Sequence, residues 1–352
     1  MSHSTNLPQS FHCIWSSPSN IALIKYWGKA AGVQIPANSS ISMTLKKSRT
    51  ITSMKVELNP DFSVHYNFEG KRNNKFEQKV MATIQRLAQF SPELLKYSYQ
   101  FESKNTFPHS AGIASSASSM SALALCLTSL RQKWDASLDS EMVFFKEASK
   151  WARLGSGSAA RSVYPKLAIW GANPAYNHFQ NEYAVVEKDI HPLFEGLCDS
   201  IVLVDTEEKS VSSTAGHSLM NNHPYRELRF NNANLGVVSM KKILSLGDWD
   251  AFCELTEKEA LELHSLMMTS SPSFILMKPK TLELIQRLRD YRAQTGAKIC
   301  FTLDAGPNLH LLYPSSEKAK TKDFINVIEM RDGLRVIHDE MGDGPRLEEL
   351  YE

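Results

Sequence analysis

The segment that most constrains the fold is NTFPHSAGIASSASSMSALALCLTSL, residues 105–130, in which small residues lead into a long apolar run. This pattern predicts a buried helix that begins near Ala114. The N–H groups at a helix start bind phosphate readily, and small residues let the backbone approach an anion closely. The segment is neither a Walker loop nor GxGxxG. Composition alone leaves a second interpretation open, a small-residue helix start packed closely against a neighbour.

The rest of the chain alternates between blocks of strands and blocks of helices. Residues 13–68 are rich in β-branched residues and show the alternation typical of strands. Helices are expected over 74–88, 140–154, 236–246, 250–268 and 279–294. The order of strands, helices and strands indicates an α+β fold. The character of the sequence changes near Lys188, so we expect two halves, 13–187 and 188–352.

The composition argues against several classes of protein. Of the 352 residues, 42% are hydrophobic and 22% charged, and the formal net charge of +1 gives no overall preference for nucleic acid or membrane. The five cysteines are widely spaced without a CxxC pair, so we expect neither a disulfide framework nor a zinc site. The sequence shows no membrane-spanning run and no apolar signal region, which predicts a cytoplasmic location.

The stretch SPSNIALIKYWGKA, Ser17 to Ala30, places two cations at the end of a buried strand. Lys25 and Lys29 follow the strand within five residues, together with two large aromatic residues and Gly28. Such a combination is unusual for a surface turn. It raises the question of what the two lysines face.

Two further turns contain residue types that suit a binding or catalytic site. In ARLGSGSAARSVYP, Ser156 and Ser158 precede Arg161, whose guanidinium can hold a carboxylate or phosphate through two hydrogen bonds. The alternative there is a capped helix start with a surface arginine. In FTLDAGPN, Asp304 ends an apolar strand at a sharp turn, which is typical of a catalytic residue and also of a turn cap.

VSSTAGH, residues 211–217, is a weaker anion turn, or a Ser/Thr cap on the next helix. The eleven histidines show no HxxH or HExxH spacing, so we assign no metal site made of protein ligands alone. Four anion-suited turns in a chain with little net charge favour a phosphate-rich pair of substrates, such as a nucleotide and a phosphorylated metabolite.

Taken in order, these segments resemble the GHMP small-molecule kinase superfamily and, within it, the mevalonate diphosphate decarboxylases. The resemblance spans Ser17 to Asn308, and NIALIKYWGK, GSGSAxRS and DAGPN are its most specific parts. It implies an α+β, GHMP-kinase-like, two-lobed fold. An N-terminal, β-rich, ATP-binding half and a C-terminal ferredoxin-like half would enclose a deep cleft. A homodimer is also expected.

The resemblance further implies a reaction. ATP, with Mg²⁺ bound largely through the phosphates, would phosphorylate the tertiary 3-hydroxyl of mevalonate 5-diphosphate. Phosphate and CO2 would then leave, giving isopentenyl diphosphate and ADP. The partners are therefore small molecules, with neither nucleic acid nor a membrane expected.

The resemblance assigns roles position by position. Asp304 matches the aspartate that orients or deprotonates the 3-hydroxyl, Lys25 the lysine beside it, and Arg161 the arginine that holds the carboxylate. The residues matched to the substrate and its diphosphate are Tyr26, Lys29, Ser156, Ser158 and Ser213. The residues matched to the ATP phosphate loop are Asn105, Pro108, Gly112, Ala114, Ser115, Ser116 and Ser118.

Two positions depart from the family pattern. Thr214 stands where bacterial members often have an arginine, and eukaryotic members use an arginine near the start of the helix over 74–88, where the nearest cation here is Lys75. Lysine is a point charge rather than a planar fork. A decarboxylase or 3-kinase acting on mevalonate 5-phosphate or mevalonate therefore stays open, as does an inactive nucleotide- or metabolite-binding homologue. Because Lys25 and Asp304 are both present, full decarboxylation is favoured.

Overall fold

The computed structural model describes residues 6–108, 113–206 and 213–351. Its strands are β1 Ser10–Ile24, β2 Ser40–Leu58, β3 Ser63–Phe68, β4 Lys71–Arg72, β5 Tyr97–Asn105, β6 Leu167–Trp170, β7 Val185–Glu187, β8 Cys198–Val202, β9 Cys300–Leu303, β10 Leu309–Tyr313, β11 Val336–Glu340 and β12 Arg346–Tyr351. Its α-helices are α1 Asn74–Leu87, α2 Ser115–Gln132, α3 Glu141–Gly155, α4 Ala159–Ser162, α5 Ser213–Leu219, α6 Arg226–Leu246, α7 Trp249–Met268, α8 Pro279–Thr295 and α9 Lys318–Asp332.

The larger sheet forms the N-terminal, β-rich half. Its strands follow the order β12-β1-β2-β5-β3-β4, and β6 and β7 extend it from β2. The pairs are antiparallel except for β3 with β5. Helix α2 begins one residue after Ala114 and is buried on every side from Ala117 to Leu130. The predicted central helix is therefore confirmed, and it becomes fully buried from Ala117, after an exposed Ser116.

The smaller sheet has the strand order β11-β8-β10-β9, with all pairs antiparallel. Together with the helices between β8 and β9 and between β10 and β11, it forms the β-α-β-β-α-β arrangement of a ferredoxin-like layer. The predicted α+β class and ferredoxin-like half are confirmed. Helix α6 begins at Arg226, earlier than the expected 236, and α9 was not predicted.

The two halves of the chain make direct backbone contacts with each other. Strand β12, although it lies in the second half of the chain, pairs with β1 at the edge of the larger sheet. The carboxylate of Asp339 on β11 accepts hydrogen bonds from the backbone N–H groups of Lys46, Lys47 and Ser48 on β2. A division of the chain near residue 187 stays a prediction. None of the helices in the described ranges is both long and apolar enough to cross a bilayer.

Candidate active site

A cavity of about 370 Å³ brings together side chains that are far apart in sequence. The end of β1 contributes Lys25 and Tyr26, and the turn between α3 and α4 contributes Ser156 and Ser158. The other lining residues are Asn20, Ala22, Trp27, Lys29, Gln34, Lys79, Ala114, Ser116, Gly155, Gly157, Arg161, His217, Leu263, Asp304 and Ala305. Four of the clusters singled out in the sequence, those that contain Lys25, Ser156, His217 and Asp304, thus meet the start of α2 at one place.

Lys25 and Asp304 form an ion pair in the wall of this cavity. Lys25 is 2% exposed, and its Nζ donates to Asp304 Oδ1 at 3.0 Å and to the carbonyl oxygen of Ala22 at 2.7 Å. A buried charge is costly unless it is paired, so these partners hold the ammonium in one position. The Asp304 side chain keeps 26% exposure, because it projects from the turn after β9 into the cavity.

The backbone around Lys25 is fixed by a second buried pair, Arg229 on α6 with Glu259 on α7. Glu259 Oε1 accepts from the Lys25 backbone N–H at 2.7 Å, and Arg229 Nη2 donates to the Lys25 carbonyl oxygen at 3.0 Å. Sequence analysis missed both residues, because each sits in a helix with other charged side chains and no local pattern separates it from a surface residue.

Arg161 is 2% exposed and lies on the same cavity wall. Its guanidinium donates to Ser42 Oγ at 2.8 Å, Ser40 Oγ at 2.5 Å and Asn20 Oδ1 at 3.4 Å. Burial lowers the pKa of Arg161 to about 10, and the charge of Asp304 opposes this shift. The guanidinium therefore stays charged near neutral pH. The surface-arginine interpretation of this turn is wrong.

The same cavity is lined by two further lysines, the partly buried Lys29 and Lys79. Burial lowers the pKa of Lys29, and burial followed by repulsion from Lys29 lowers the pKa of Lys79. Lys75, the expected cation on α1, is exposed and does not line the cavity, because it lies in the first turn of the helix. Lys79, one turn further along the helix, does line the cavity. The role of Lys75 as a substrate-binding cation stays a prediction.

Tyr26 is 9% exposed, and its ring contacts those of Trp170 and His217 at centroid distances of 4.8 and 4.3 Å. Burial raises its pKa, so the phenol stays protonated. Its hydroxyl has no hydrogen-bond partner within the described part of the chain. Gly157 lies so close that a Cβ there would come within 2.8 Å of the Tyr26 ring. The GSGS turn thus requires glycine to pack beside this hydroxyl.

The start of α2 reaches the cavity through Ala114 and Ser116. Ala114 has φ 38° and ψ 45°, a left-handed conformation that side chains rarely adopt, and among the described residues no side chain caps the helix. The Ala117 N–H donates to the Ala114 carbonyl oxygen at 2.8 Å, so the N–H groups of Ser115 and Ser116 are the ones that this helix start can offer to an anion.

The other predicted loop residues lie around this helix start. Ser118 is fully buried, and its hydroxyl is hydrogen-bonded to Thr50 Oγ1 at 2.7 Å. The Thr50 hydroxyl donates to Asn105 Oδ1 at 2.8 Å, so Ser118 and Asn105 support the loop rather than line the cavity. Ser115 and Pro108 are half-buried outside the cavity lining. Gly112 and the Ser213 side chain lie outside the described residues.

Within the described ranges, no group of three His, Cys, Asp or Glu side chains is placed to hold a metal ion. The cavity combines one carboxylate, Asp304, with several cations and a helix start. This donor set fits an ion coordinated mainly by phosphate oxygens. Asn20, Lys79 and His217 line the cavity but were missed from sequence. Asn20 lies in NIALIKYWGK and His217 in VSSTAGH, two segments already singled out in the sequence, although neither residue was given a role there.

Comparisons with known proteins match both halves of the chain to one family. Residues 17–179 match the diphosphomevalonate decarboxylase-like N-terminal domain, and residues 200–333 match the mevalonate 5-diphosphate decarboxylase C-terminal domain. The diphosphomevalonate decarboxylase of Candida albicans is 30% identical over 336 residues, which cover 88% of this chain and 86% of the relative.

Two solved structures show the same fold. The mevalonate diphosphate decarboxylase of Staphylococcus aureus superposes with a TM-score of 0.83 and 27% identity, covering 97% of this chain and 98% of that one. MDDEF in complex with MVAPP, AMPPCP and magnesium superposes with a TM-score of 0.81 and 27% identity, covering 97% of this chain and 99% of that one. The chain therefore belongs to the diphosphomevalonate decarboxylase family.

Proposed function

We propose that this chain catalyses the ATP-dependent decarboxylation of mevalonate 5-diphosphate to isopentenyl diphosphate, CO2, ADP and phosphate, a step of the mevalonate pathway. The observation that carries the proposal is the Lys25–Asp304 pair facing the same cavity as the buried Arg161. This arrangement supplies a carboxylate for the hydroxyl, a cation for the transferring phosphoryl and a guanidinium for the substrate carboxylate.

The first half-reaction activates a poor leaving group. Asp304 accepts the hydrogen bond of the tertiary 3-hydroxyl, aims the oxygen at the γ-phosphoryl of ATP and takes its proton. Lys25, 3.0 Å from Asp304 Oδ1, lies where its charge offsets negative charge on the transferring group. Mg²⁺ held by phosphate oxygens supplies further charge neutralisation when bound.

The second half-reaction removes two groups. The C3–O bond breaks and phosphate leaves with its electron pair, while the C1–C2 bond breaks and its pair becomes the new C2=C3 double bond, releasing CO2. Arg161 uses three of its five N–H donors in hydrogen bonds to the neighbouring Ser40, Ser42 and Asn20. The remaining donors are available to hold the carboxylate in a site with little water.

The remaining roles concern the phosphates. The 5-diphosphate is assigned to Tyr26, Lys29, Lys79, Ser156 and Ser158, all of which line the cavity, and to Ser213 from the resemblance. The ATP phosphates are assigned to the start of α2 at Ala114 and Ser116. From the family resemblance we also propose a homodimer, divided within each chain near residue 187 and working in the cytoplasm. Light scattering of the purified chain tests the dimer.

The function is tested with purified protein, ATP·Mg²⁺ and each of mevalonate, its 5-phosphate and its 5-diphosphate, with ADP and CO2 followed separately. The proposal expects equal amounts of ADP and CO2, with the highest kcat/KM for the 5-diphosphate. ADP without CO2 would indicate a 3-kinase, and a higher kcat/KM for the 5-phosphate would change the substrate. Release of neither product would leave the binding homologue.

A further inference from the structure

His217 is a cavity-lining residue to which sequence analysis gave no role. It lies on α5, is 8% exposed, and its ring centroid lies 4.3 Å from that of Tyr26 and 4.8 Å from that of Trp27. The neighbouring Gly216 packs so closely on Trp27 that a Cβ would collide with the indole. Helix α5 is therefore held against the segment after β1, and the imidazole has one position.

The hydrogen bonding of His217 fixes where its proton sits. The backbone N–H of Gly28 donates to His217 Nδ1 at 3.0 Å. A backbone N–H cannot accept, so Nδ1 must keep its lone pair and the neutral ring carries its proton on Nε2. Gly28 itself is held at φ +104°, where a Cβ would lie 2.6 Å from the Phe230 ring. Burial, with a smaller contribution from the charge of Lys29, lowers the pKa of His217 to about 3.

The Nε2–H group is an uncharged donor next to the cationic end of the cavity. Within the part of the chain that the structure describes, Nε2 has no hydrogen-bond partner, and neither has the hydroxyl of the adjacent Tyr26. Lys29 and Lys79 already repel each other there. A neutral donor adds a hydrogen bond to an anion without adding repulsion to this pair.

We propose that His217 donates its Nε2–H to a 5-phosphate oxygen of the substrate and acts as a specificity-determining residue for that phosphate. The inference rests on the proposed function, because it takes the same substrate. It predicts that the hydrogen bond stabilises the bound substrate and the transition state equally, so that affinity changes while turnover at saturation does not.

Two substitutions separate the two nitrogen atoms. His217→Asn places an amide oxygen near the Nδ1 position, keeps an acceptor for Gly28 and removes the donor at the Nε2 position. His217→Gln reaches the Nε2 position with an amide N–H and gives up the bond to Gly28. We expect His217→Asn to raise Kd and KM for mevalonate 5-diphosphate by about 10-fold or more, the range for a hydrogen bond to a charged group, with kcat within about threefold. His217→Gln should recover most of the affinity despite a lower melting temperature.

Mevalonate without a 5-phosphate is the matched control ligand, and its affinity should be the same in wild type and both variants. The proposal is overturned if His217→Asn binds the 5-diphosphate like wild type, or if His217→Gln binds it more weakly than His217→Asn. Either result would leave His217 with a structural role only, as the residue whose hydrogen bond with Gly28 holds α5 in place.

Failure of the proposed function can be distinguished from failure of the role proposed for His217. Wild type would then release no CO2 from any of the three mevalonate substrates. Binding of inorganic pyrophosphate, which requires no turnover, would still have to distinguish His217→Asn from wild type. Equal pyrophosphate affinity in the two proteins overturns the proposal in that case too.

Discussion

The cavity contains two groups of charged side chains, which differ in how their charges are balanced. We call the group of Lys25, Asp304 and Arg161 the reacting end, and the group of Lys29 and Lys79 the phosphate end. At the reacting end, Lys25 is paired with Asp304, and Arg161 is held by three neutral side chains; Lys25 and Arg161 are each 2% exposed, whereas the Asp304 side chain keeps 26% exposure. At the phosphate end, Lys29 and Lys79 are only partly buried, and no ion pair joins either to a described carboxylate. The reacting end is thus assembled before substrate arrives, whereas the phosphate end holds positive charge that an anion would balance.

This difference suits the demands of the two ends. Phosphoryl transfer and decarboxylation require fixed geometry, which pre-paired groups provide without reorganisation. Capture of a diphosphate requires net attraction, and neighbouring lysines with lowered pKa values gain from a bound anion. The reacting end should therefore govern rate, and the phosphate end should govern affinity.

The largest expected effect is at Asp304. Asp304→Asn keeps the size of the side chain but cannot take the proton, so kcat should fall by roughly 10²–10⁴-fold. Substrate Kd should change by less than about threefold, because binding is assigned to other groups. Quenched-flow measurement of ADP and CO2 checks the rate.

Asp332→Asn is the matched control for this carboxylate. Asp332 on α9 is also largely buried and accepts from Lys280 and Arg287 at 2.9 and 2.6 Å, away from the cavity. This variant should melt at a lower temperature and keep its kcat. Unchanged turnover in Asp304→Asn would assign Asp304 to capping the turn.

The next largest effect is expected at Arg161. Arg161→Lys keeps a charge but loses the planar guanidinium, so it cannot serve its neighbours and a carboxylate together. We expect kcat/KM to fall by about 10- to 150-fold, the range for a lost hydrogen bond to a charged group. Arg292→Lys is the control, because Arg292 binds Glu257 at 2.6 Å outside this cavity. Similar steady-state losses in both variants would count against the carboxylate role.

At the phosphate end the comparison is between two lysines on one helix. Lys79→Gln should raise KM for the 5-diphosphate by about 10-fold with kcat nearly unchanged, because it removes a charged contact to bound substrate. Lys75→Gln, on the exposed first turn of α1, should stay within about twofold of wild type. The opposite ranking in steady-state assays would restore Lys75 as the diphosphate ligand.

The smallest effect is a pH dependence of KM. The pKa values of Lys29 and Lys79 are lowered from 10.5, so each lysine loses its charge at a lower pH than an unperturbed lysine does. KM for the 5-diphosphate should therefore begin to rise before pH 10.5, while kcat at saturation changes less. Initial rates across alkaline pH test this, and Lys79→Gln should flatten the rise. A flat wild-type profile would contradict it.

Sequence predicted the parts of this molecule that depend on local pattern. The apolar run from Ala117 to Leu130 could only be a buried helix, and the DAGPN turn had to follow a strand. Helix α9 was not predicted because only four of its fifteen residues are buried. The many charged residues between them make the helical spacing of its apolar residues hard to recognise in the sequence. The pairing of β12 with β1 joins the two ends of the chain, and no local signal reports such a contact.

The candidate site follows the same division. Lys25, Arg161 and Asp304 were predicted because each lies in a specific local motif, NIALIKYWGK, GSGSAxRS or DAGPN. The structure brings all three residues to one cavity. Lys79 was missed because Lys75 and Lys79 differ only in which turn of α1 reaches the cavity, a consequence of packing. His217 was missed because its role depends on Gly28, a contact between residues 189 positions apart.

The most direct test of the two-ended account is the Kd of mevalonate 5-diphosphate, measured by calorimetry without ATP, for Asp304→Asn and Lys79→Gln beside wild type. The account predicts that Asp304→Asn binds the substrate almost as wild type does while turning over far more slowly. Lys79→Gln should bind about 10-fold more weakly while keeping its kcat. If Asp304→Asn lost affinity as much as Lys79→Gln did, or Lys79→Gln lost kcat as much as Asp304→Asn did, the separation of rate from affinity between the two ends would be wrong.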